Sequence, residues 1–252
     1  MSSPVPASTF EEVEAAVANV EGWMTPAQAR RLWSCSRTVP SGGSIVEIGS
    51  FRGRSMIVLA SAAESGVDLV AIDPHAGNDR GPQEISGFEA EAATDNEVFL
   101  ANLEAAGVRD RVRHVRKFSD DALGDVSGQI DLLYIDGAHR MKPALSDIRR
   151  WGAKVKPGGD LLIHDSFSSV GVTAALAASL FTGGDFRYLG RSESMTHYRR
   201  ESLSPADRAR NALRQAAQLP WFARNVIIKA LIVARLGRLT RVFGHDPETW
   251  PY

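Results

Sequence analysis

Residues 44–55 read SIVEIGSFRGRS, and this stretch decides the fold class. An apolar run, Ser44–Ile48, ends at Gly49, and a helical pattern follows from about Ser55 to Glu64. Four further apolar runs alternate with helical patterns, at 69–72, 112–115, 131–135 and 161–163. Short buried strands that alternate with helices are typical of parallel βαβ units. We therefore predict an α/β, Rossmann-like fold, with a doubly wound and mostly parallel sheet that carries helices on both faces.

Helical additions are predicted at both ends of this unit. Residues 1–40 form a helical cap, with Thr25 and Pro26 as a helix start, and residues 41–200 form the central domain. Residues 201–252 form a basic amphipathic tail that Pro220 splits into two helices. We expect this tail to pack on the domain or on a second copy of the chain, as in a homodimer. A basic amphipathic helix also suits a membrane surface or a partner protein.

Two shorter elements complete the expected order. The pattern predicts a short helix at Ala122 and Leu123, and a turn at 157–159 before the fifth strand. On the helix before that strand, Asp147 and Arg149 are expected to form exposed pairs.

Composition excludes several classes of protein. The 252 residues include 29 Lys and Arg against 30 Asp and Glu, so the net charge of −1 does not favour nucleic acid as a partner. The single cysteine, Cys35, cannot form an internal disulfide or a cysteine zinc cluster, which fits a reducing compartment. No stretch reaches the ~20 apolar residues of a membrane span, and the acidic N-terminus does not resemble a signal peptide. We expect a cytoplasmic protein.

The ends of the predicted strands carry the chemistry, because ligands of doubly wound sheets bind at the carboxyl ends of the strands. The loop after the first strand is not a dinucleotide fingerprint, since Phe51 and Arg54 stand where the second and third glycines belong. An acid, Glu47, precedes this loop, which disfavours a pyrophosphate and suits a ligand with positive charge or free amines. Asp73 ends the second strand, at the spacing of acids that bind ribose hydroxyls.

The fourth and fifth strands end in acids and histidines. Asp136 and His139 follow the fourth strand, and His164 and Asp165 follow the fifth. Carboxylate oxygens at this position suit Mg²⁺, which takes one or two protein carboxylates and keeps several waters. His139 lies three residues beyond Asp136 and is a candidate general base.

At these residues the sequence resembles the class I S-adenosylmethionine-dependent methyltransferases, from Gly22 to about Tyr198. The resemblance implies that Asp73 binds the ribose hydroxyls and that Phe118-Ser119-Asp120 approaches the adenine. The cofactor-binding residues that it implies are Glu47, Gly49, Ser50, Gly53, Arg54, Ser55, Asp73, Ser119 and Asp136.

Residues 135–139 and 157–165 resemble the branch that contains metal-dependent sugar and natural-product O-methyltransferases. This implies a divalent ion, Mg²⁺, held by Asp136 and Asp165, with His164 as a third position. Relatives often have a second acid or an amide beside the last acid, whereas this chain has His164 and Ser166. More narrowly, the sequence is similar to actinobacterial enzymes that methylate mannose oligosaccharides.

The resulting hypothesis is methyl transfer to a sugar hydroxyl, with His139 as base. Candidate acceptor contacts are Trp23, His75, Phe88, Tyr188 and His197. The glycine- and proline-rich segment Pro74–Gly87 is a candidate lid. Three alternatives remain: a metal-independent methyltransferase with His139 or His164 alone as base, a nucleotide-dependent oxidoreductase, and a catalytically silent binding subunit.

Overall fold

The structure is a computed structural model that describes residues 9–77 and 93–246. These residues contain a seven-stranded sheet of order β3-β2-β1-β4-β5-β7-β6. The strands are β1 (Ser44–Ile48), β2 (Asp68–Ile72), β3 (Val112–Val115), β4 (Ile130–Ile135), β5 (Val155–Ile163), β6 (Phe186–Ser192) and β7 (Met195–Arg200). The first five strands pair in parallel. The predicted α/β class and the five predicted strands are confirmed.

The sheet separates two hydrophobic cores because successive side chains of a strand point to opposite faces. On β1, Ile45 joins one core and Val46 joins the other. Both residues are fully buried, which is typical of a parallel sheet covered on both sides. The first four helices pack on the face of Ile45, and the next two pack on the face of Val46. Those helices are α1 (Phe10–Val17), α2 (Pro26–Ser36), α3 (Arg54–Ala62), α4 (Asp95–Ala105), α5 (Met141–Arg150) and α6 (Val170–Ser179).

The predicted helix start at Thr25 is confirmed as a capping box. The Thr25 hydroxyl accepts from the Gln28 N–H, and the Gln28 side chain accepts from the Thr25 N–H. This reciprocal pair satisfies two amide groups that α2 cannot pair internally.

Three details differ from the sequence-based expectation. Ala122 and Leu123 lie in the non-helical connection between β3 and β4 rather than in a short helix, and Ala122 is buried in the core. The Pro157-Gly158-Gly159 turn lies inside β5, where the register to β4 shifts between Ile130 and Leu132. The antiparallel strands β6 and β7 were not predicted, because their mixed polar sequence lacks an apolar run.

The tail forms two helices, as predicted, α7 (Pro205–Ala216) and α8 (Leu219–Val233), with Pro220 in the first turn of α8. Asn211 and Gln215 attach α7 to the sheet: Asn211 Oδ1 accepts from the Tyr188 N–H at 2.7 Å, and Gln215 Oε1 accepts from the Tyr198 hydroxyl at 2.9 Å. By length and composition alone, the helical stretch Pro205–Val233 is long and apolar enough to cross a membrane, contrary to the expectation that no stretch is. A 3₁₀ helix, Gly237–Phe243, follows.

Candidate functional site

A cleft of about 870 Å³ opens at the carboxyl ends of β1, β2, β4 and β5. This is the position predicted from the fold class, at the point where the strand order reverses. Three backbone positions beside it have positive φ without being glycine: Phe51 at 44°, His75 at 49° and Asp165 at 53°. Such conformations cost energy and concentrate at functional sites, where the surrounding structure enforces them.

The loop after β1 forms one wall of the cleft. Gly49 has φ of 87°, and a Cβ at this position would lie 2.1 Å from the carbonyl oxygen of Asp136. Only glycine fits, because the loop after β1 passes directly against the end of β4. The Asp136 N–H also donates to the Ile48 carbonyl at 2.8 Å, which holds the two strand ends together.

Asp73 lies beside this loop, and its carboxylate is held by the backbone. One oxygen accepts from the Phe51 N–H at 2.8 Å, and the other accepts from the His75 N–H at 2.7 Å. Each carboxylate oxygen has a second lone pair, so Asp73 is able to accept hydrogen bonds from a ligand as well. Asp73 lines the cleft, as the prediction requires.

Glu47 is fully buried beneath the loop and does not line the cleft. Gly53 does not line it either, whereas the other residues predicted to bind the cofactor do. The Ser55 hydroxyl donates to Glu47 Oε1 at 2.5 Å, while Oε2 has no hydrogen-bond partner in the described residues. Burial raises the pKa of the Glu47 carboxyl to about 8. Glu47 therefore supports the loop from below through its hydrogen bond with Ser55.

The start of α3 completes this wall. Gly53 is the N-cap of α3, in the left-handed region with φ of 88°. Arg54 and Ser55 line the cleft in the first turn of that helix, and Arg54 Nη1 donates to the Gly22 carbonyl at 3.0 Å. This bond joins the loop to the segment between α1 and α2.

The half-buried Ser119 and the buried Asp147 form a polar pair at the rim beyond β3. The Ser119 hydroxyl donates to Asp147 Oδ1 at 2.6 Å, and both residues line the cleft. The expectation of an exposed Asp147 is wrong, since 3% of this residue is accessible. Burial raises the pKa of the Asp147 carboxyl to about 6. Arg149, two residues further along α5, donates to the Ala178 carbonyl instead of pairing with Asp147.

The ends of β4 and β5 bring two acids and two histidines together. His164 Nδ1 lies 3.2 Å from an Asp136 oxygen and 3.5 Å from an Asp165 oxygen. His139 Nε2 lies 2.8 Å from the same Asp165 oxygen. The four predicted side chains therefore form one continuous cluster, with Asp165 between the two rings.

Charge in this cluster is balanced internally. Burial disfavours the charged ring of His164, but the carboxylates of Asp136 and Asp165 raise its pKa well above the ordinary value. Burial likewise opposes ionisation of Asp165, but His164 and His139 hold its pKa well below the usual range. The pKa of His139 is raised by Asp165 against the effect of burial.

Two parts of this site were missed at the sequence level. Gln28 of α2 places Oε1 at 3.3 Å from His164 Nε2, while its amide donates to the Ser194 hydroxyl. The sequence marks Gln28 only as a capping residue, so its second role has no local signal. Val226 and Lys229 of α8 line the cleft, and Lys229 Nζ donates to the Ser168 carbonyl at 3.0 Å. The sequence signal that could have indicated this contact is Lys229 itself, a lysine within the otherwise apolar run 226–234.

The predicted acceptor contacts divide into two groups. Trp23 and His75 line the cleft, and Trp23 stacks on Phe51 with ring centroids 5.3 Å apart. Tyr188 and His197 do not line the cleft, because both are buried in the antiparallel part of the sheet, where His197 Nε2 lies 2.9 Å from Asp160. Phe88 and residues 78–87 of the candidate lid lie outside the described residues.

Residues 46–166 match a family model described as a methyltransferase domain. Among curated proteins, "Uncharacterized protein R132" from Acanthamoeba polyphaga mimivirus is 27% identical over 125 residues, which are 48% of this chain and 50% of that protein. The chain thus matches about half the length of this relative.

Solved structures extend the similarity to most of the chain. The cofactor-bound protein Rv0187 from MTB has a TM-score of 0.55 at 20% identity and covers 79% of this chain and 91% of its own. The O-methyltransferase NovP has a TM-score of 0.54 at 17% identity, with coverages of 71% and 83%. TomG from Streptomyces achromogenes, an O-methyltransferase of tomaymycin synthesis in complex with SAM, has a TM-score of 0.50 at 18% identity, with coverages of 79% and 92%.

These identities establish a shared fold. The family match covers the part of the chain that contains the glycine loop and the acidic ends of β4 and β5. The match to a methyltransferase domain does not favour the oxidoreductase alternative. This chain therefore has the Rossmann-like methyltransferase fold, and its residues 46–166 match a methyltransferase domain.

Proposed function

We propose that this protein transfers the methyl group of S-adenosylmethionine to a hydroxyl of a sugar or oligosaccharide, such as a mannoside. The observation that carries the proposal is one cleft with two chemically different walls. A glycine loop and Asp73 form one wall, and the cluster of His139, Asp165, His164 and Asp136 forms the other. Rv0187 and TomG, which share this fold, have structures with a cofactor or SAM bound.

The donor binds at the first wall in this proposal. Asp73 accepts hydrogen bonds from the two ribose hydroxyls with the lone pairs that the backbone leaves open. Gly49 and Ser50 let the backbone approach the amino acid part of the donor. The Ser119–Asp147 pair borders the adenine ring of the donor. Glu47 acts from below by holding Ser55 and the loop in place.

His139 takes the proton of the acceptor hydroxyl. Its Nε2 faces Asp165, so in the neutral ring Nδ1 is the nitrogen that accepts the proton. Asp165 fixes the ring and stabilises the positive charge that the ring gains. Such a base contributes about 10²–10⁴-fold to the rate. Alignment of the hydroxyl oxygen, the methyl carbon and the sulfur supplies the rest of the rate enhancement.

The residues at β4 and β5 fit a divalent ion. One ligand atom each of Asp136, His164 and Asp165 lies within 4.8 Å of the others, and His164 Nδ1 is buried without a well-aligned hydrogen bond in the described residues. A bound ion would bind the acceptor oxygen and lower the pKa of its hydroxyl. Carboxylates suit Mg²⁺, whereas an imidazole ligand suits a transition metal such as Mn²⁺ better. The ion and a proton compete for His164, so ion binding strengthens as the pH rises.

A metal-independent methyltransferase is the second candidate, and one observation favours it. The His164 ring lies between the two carboxylates, and its raised pKa lets the imidazolium compensate both acids without an ion. His139 then works alone as the base.

The test is a thermal-shift measurement of the purified chain with S-adenosylmethionine, S-adenosylhomocysteine and NAD, each with Mg²⁺, with Mn²⁺ or with chelator. A ligand at 100 times its Kd stabilises by about 2.7 kcal/mol, a shift of several degrees. We expect stabilisation by the two sulfur nucleosides and none by NAD. Stabilisation by NAD alone, or by no nucleoside, contradicts the proposal. Methyl transfer to mannosides that survives chelator selects the metal-independent mechanism.

A further inference from the structure

The outward side of α8 is entirely apolar. Its exposed positions repeat at helical spacing and are Leu219, Pro220, Ala223, Ile227, Ala230, Val233 and, at the C-cap, Ala234. The polar side chains of this helix are directed to the protein instead. Asn225 is fully buried and its amide donates to the Phe167 carbonyl, while Lys229 donates to Ser168. The usual arrangement of a surface helix, apolar inside and polar outside, is thus inverted.

The segment after α8 extends this side with alternating apolar and basic residues. Its exposed residues are Arg235, Leu236, Arg238, Leu239, Arg241, Val242 and Phe243. The Arg224 guanidinium donates to the Phe243 carbonyl at 2.6 Å, which folds this segment back onto α8. We call the exposed residues of 219–243 the tail surface. In the part of the chain that the structure describes, no element covers it, and exposed apolar patches of this kind mark interaction sites.

The charge of residues 208–245 is opposite to that of the rest of the protein. Residues 208–245 contain eight of the 29 Lys and Arg residues and no Asp or Glu. The other 21 basic residues share the remainder of the chain with all 30 acidic residues. Residues 208–245 are therefore strongly positive and the remainder of the chain is negative, although the whole chain is close to neutral.

This charge distribution distinguishes between the possible binding partners of the tail surface, a second copy of the chain and a membrane. A two-fold dimer through the tail surface would place the same basic patch on both sides of the interface, where like charges repel. An anionic bilayer complements both properties, because basic side chains bind lipid headgroups and apolar side chains enter the boundary with the acyl chains. The bonds of Asn225 and Lys229 to the domain keep α8 on the protein, so the helix would lie on a membrane and not cross it.

We infer that the tail surface docks this protein on anionic membranes. Val226 and Lys229, which line the cleft, lie at the edge of the exposed apolar side, with Val226 one turn from the exposed Ala223 and Ala230. A helix with its side chains is about 10–12 Å across, so the cleft lies within one helix diameter of the bilayer surface. This inference does not depend on the nature of the methyl acceptor.

The test is co-sedimentation of the full chain with vesicles of phosphatidylcholine alone and with vesicles in which about a third of the lipid is phosphatidylglycerol. We expect binding to the anionic vesicles and at least tenfold weaker binding to the neutral ones. Salt at about 1 M reduces the Debye length to ~3 Å, so it should release most of the bound protein. No binding to either vesicle overturns the inference, as does equal binding to both.

Variants separate the two components of the surface. Arg238→Gln with Arg241→Gln is expected to weaken binding about fivefold per arginine, because each basic residue near an anionic surface contributes about 1 kcal/mol. Arg37→Gln, an exposed arginine outside the tail, is the matched control and should bind as the wild type does. Ile227→Gln with Val233→Gln should weaken binding about tenfold, against Leu189→Gln as control.

Analytical ultracentrifugation of the same variants without lipid tests the competing occupant. We expect the sedimentation of the wild type and of the Ile227→Gln, Val233→Gln variant to be the same. A wild-type dimer that this variant converts to monomer would assign the tail surface to a second copy and overturn the membrane inference. Circular dichroism spectra and melting temperatures that match the wild type confirm that the variants fold.

Discussion

The two walls of the cleft are built in different ways. At β1 and β2 the backbone does the positioning: a glycine passes against a carbonyl, and two N–H groups hold Asp73. At β4 and β5 side chains position one another, and His164 contacts Asp136, Asp165 and Gln28, which is 136 residues away. The residues of the backbone wall, a glycine after one strand and an acid at the end of the next, can be recognised in the local sequence. A wall built from side chains depends on which strands become neighbours.

The largest expected effect comes from Gly49→Ala, which tests the backbone wall. A Cβ there would meet the Asp136 carbonyl at 2.1 Å, and φ of 87° is strained for alanine. We expect a loss of more than about 3 kcal/mol in the free energy of unfolding, measured with urea. Gly42→Ala is the control, because its φ of 81° is similar but a Cβ has no neighbour within 4 Å. Equal losses in the two variants would show that the close approach contributes nothing.

The side-chain wall is tested by His139→Ala. Loss of the base is expected to lower the rate of methyl transfer about 10²–10⁴-fold while the Kd for S-adenosylmethionine stays unchanged. His139→Gln is the control, since it has a polar side chain of similar reach but cannot take a proton at neutral pH. If His139 only positions Asp165, glutamine restores most of the rate, and the assignment as base is wrong.

The same contrast explains how much could be predicted from the sequence. The order of strands and helices, the turn at Gly49 and the acids at the strand ends follow from local patterns, and the structure places them as expected. Strand ends of a parallel sheet meet at one edge, so the meeting of Asp136 with Asp165 followed from the fold class.

What could not be predicted depends on long-range packing. Gln28 reaches His164 because α2 lies across the sheet, and Asp147 is buried because the turn at Ser119 covers it. Tyr188 and His197 were assigned to the cleft because β6 and β7 had not been identified, and these strands place both residues away from it. The apolar run of α8 was recognised, but its exposed side was not, because periodicity alone does not say which side faces the protein.

Burial beneath the backbone wall predicts a pH effect on stability through Glu47. Its pKa is raised from 4.5 to about 8 by burial, so the folded state favours the protonated carboxyl. The stability from this group is complete below about pH 4.5 and is lost as the pH rises toward 8. Glu47→Gln should therefore exceed the wild type in stability by on the order of 2–4 kcal/mol at pH 8, with the difference shrinking toward pH 5.

Urea unfolding across this pH range measures the effect, with Glu64→Gln as the control. Glu64 is exposed, and its replacement changes the net charge by the same amount. A pH-independent difference between Glu47→Gln and the wild type would mean that the carboxyl is ionised at no cost in the folded protein. Glu47 would then need a charged partner that the described residues do not include.

The smallest effect is expected for Asp73→Ala, because the backbone wall offers the donor several other contacts. Loss of the ribose hydrogen bonds should raise the Kd for S-adenosylhomocysteine about 10–100-fold, the equivalent of a charged hydrogen-bonded group. Asp73 also holds the N–H groups of Phe51 and His75, so weaker binding alone does not separate ribose recognition from support of the loop. The 2′-deoxy analogue separates them. The wild type should prefer the ribose form, and the variant should bind both forms equally. A variant that keeps the preference would leave Asp73 as a support for the loop and move ribose recognition to another residue of the cleft.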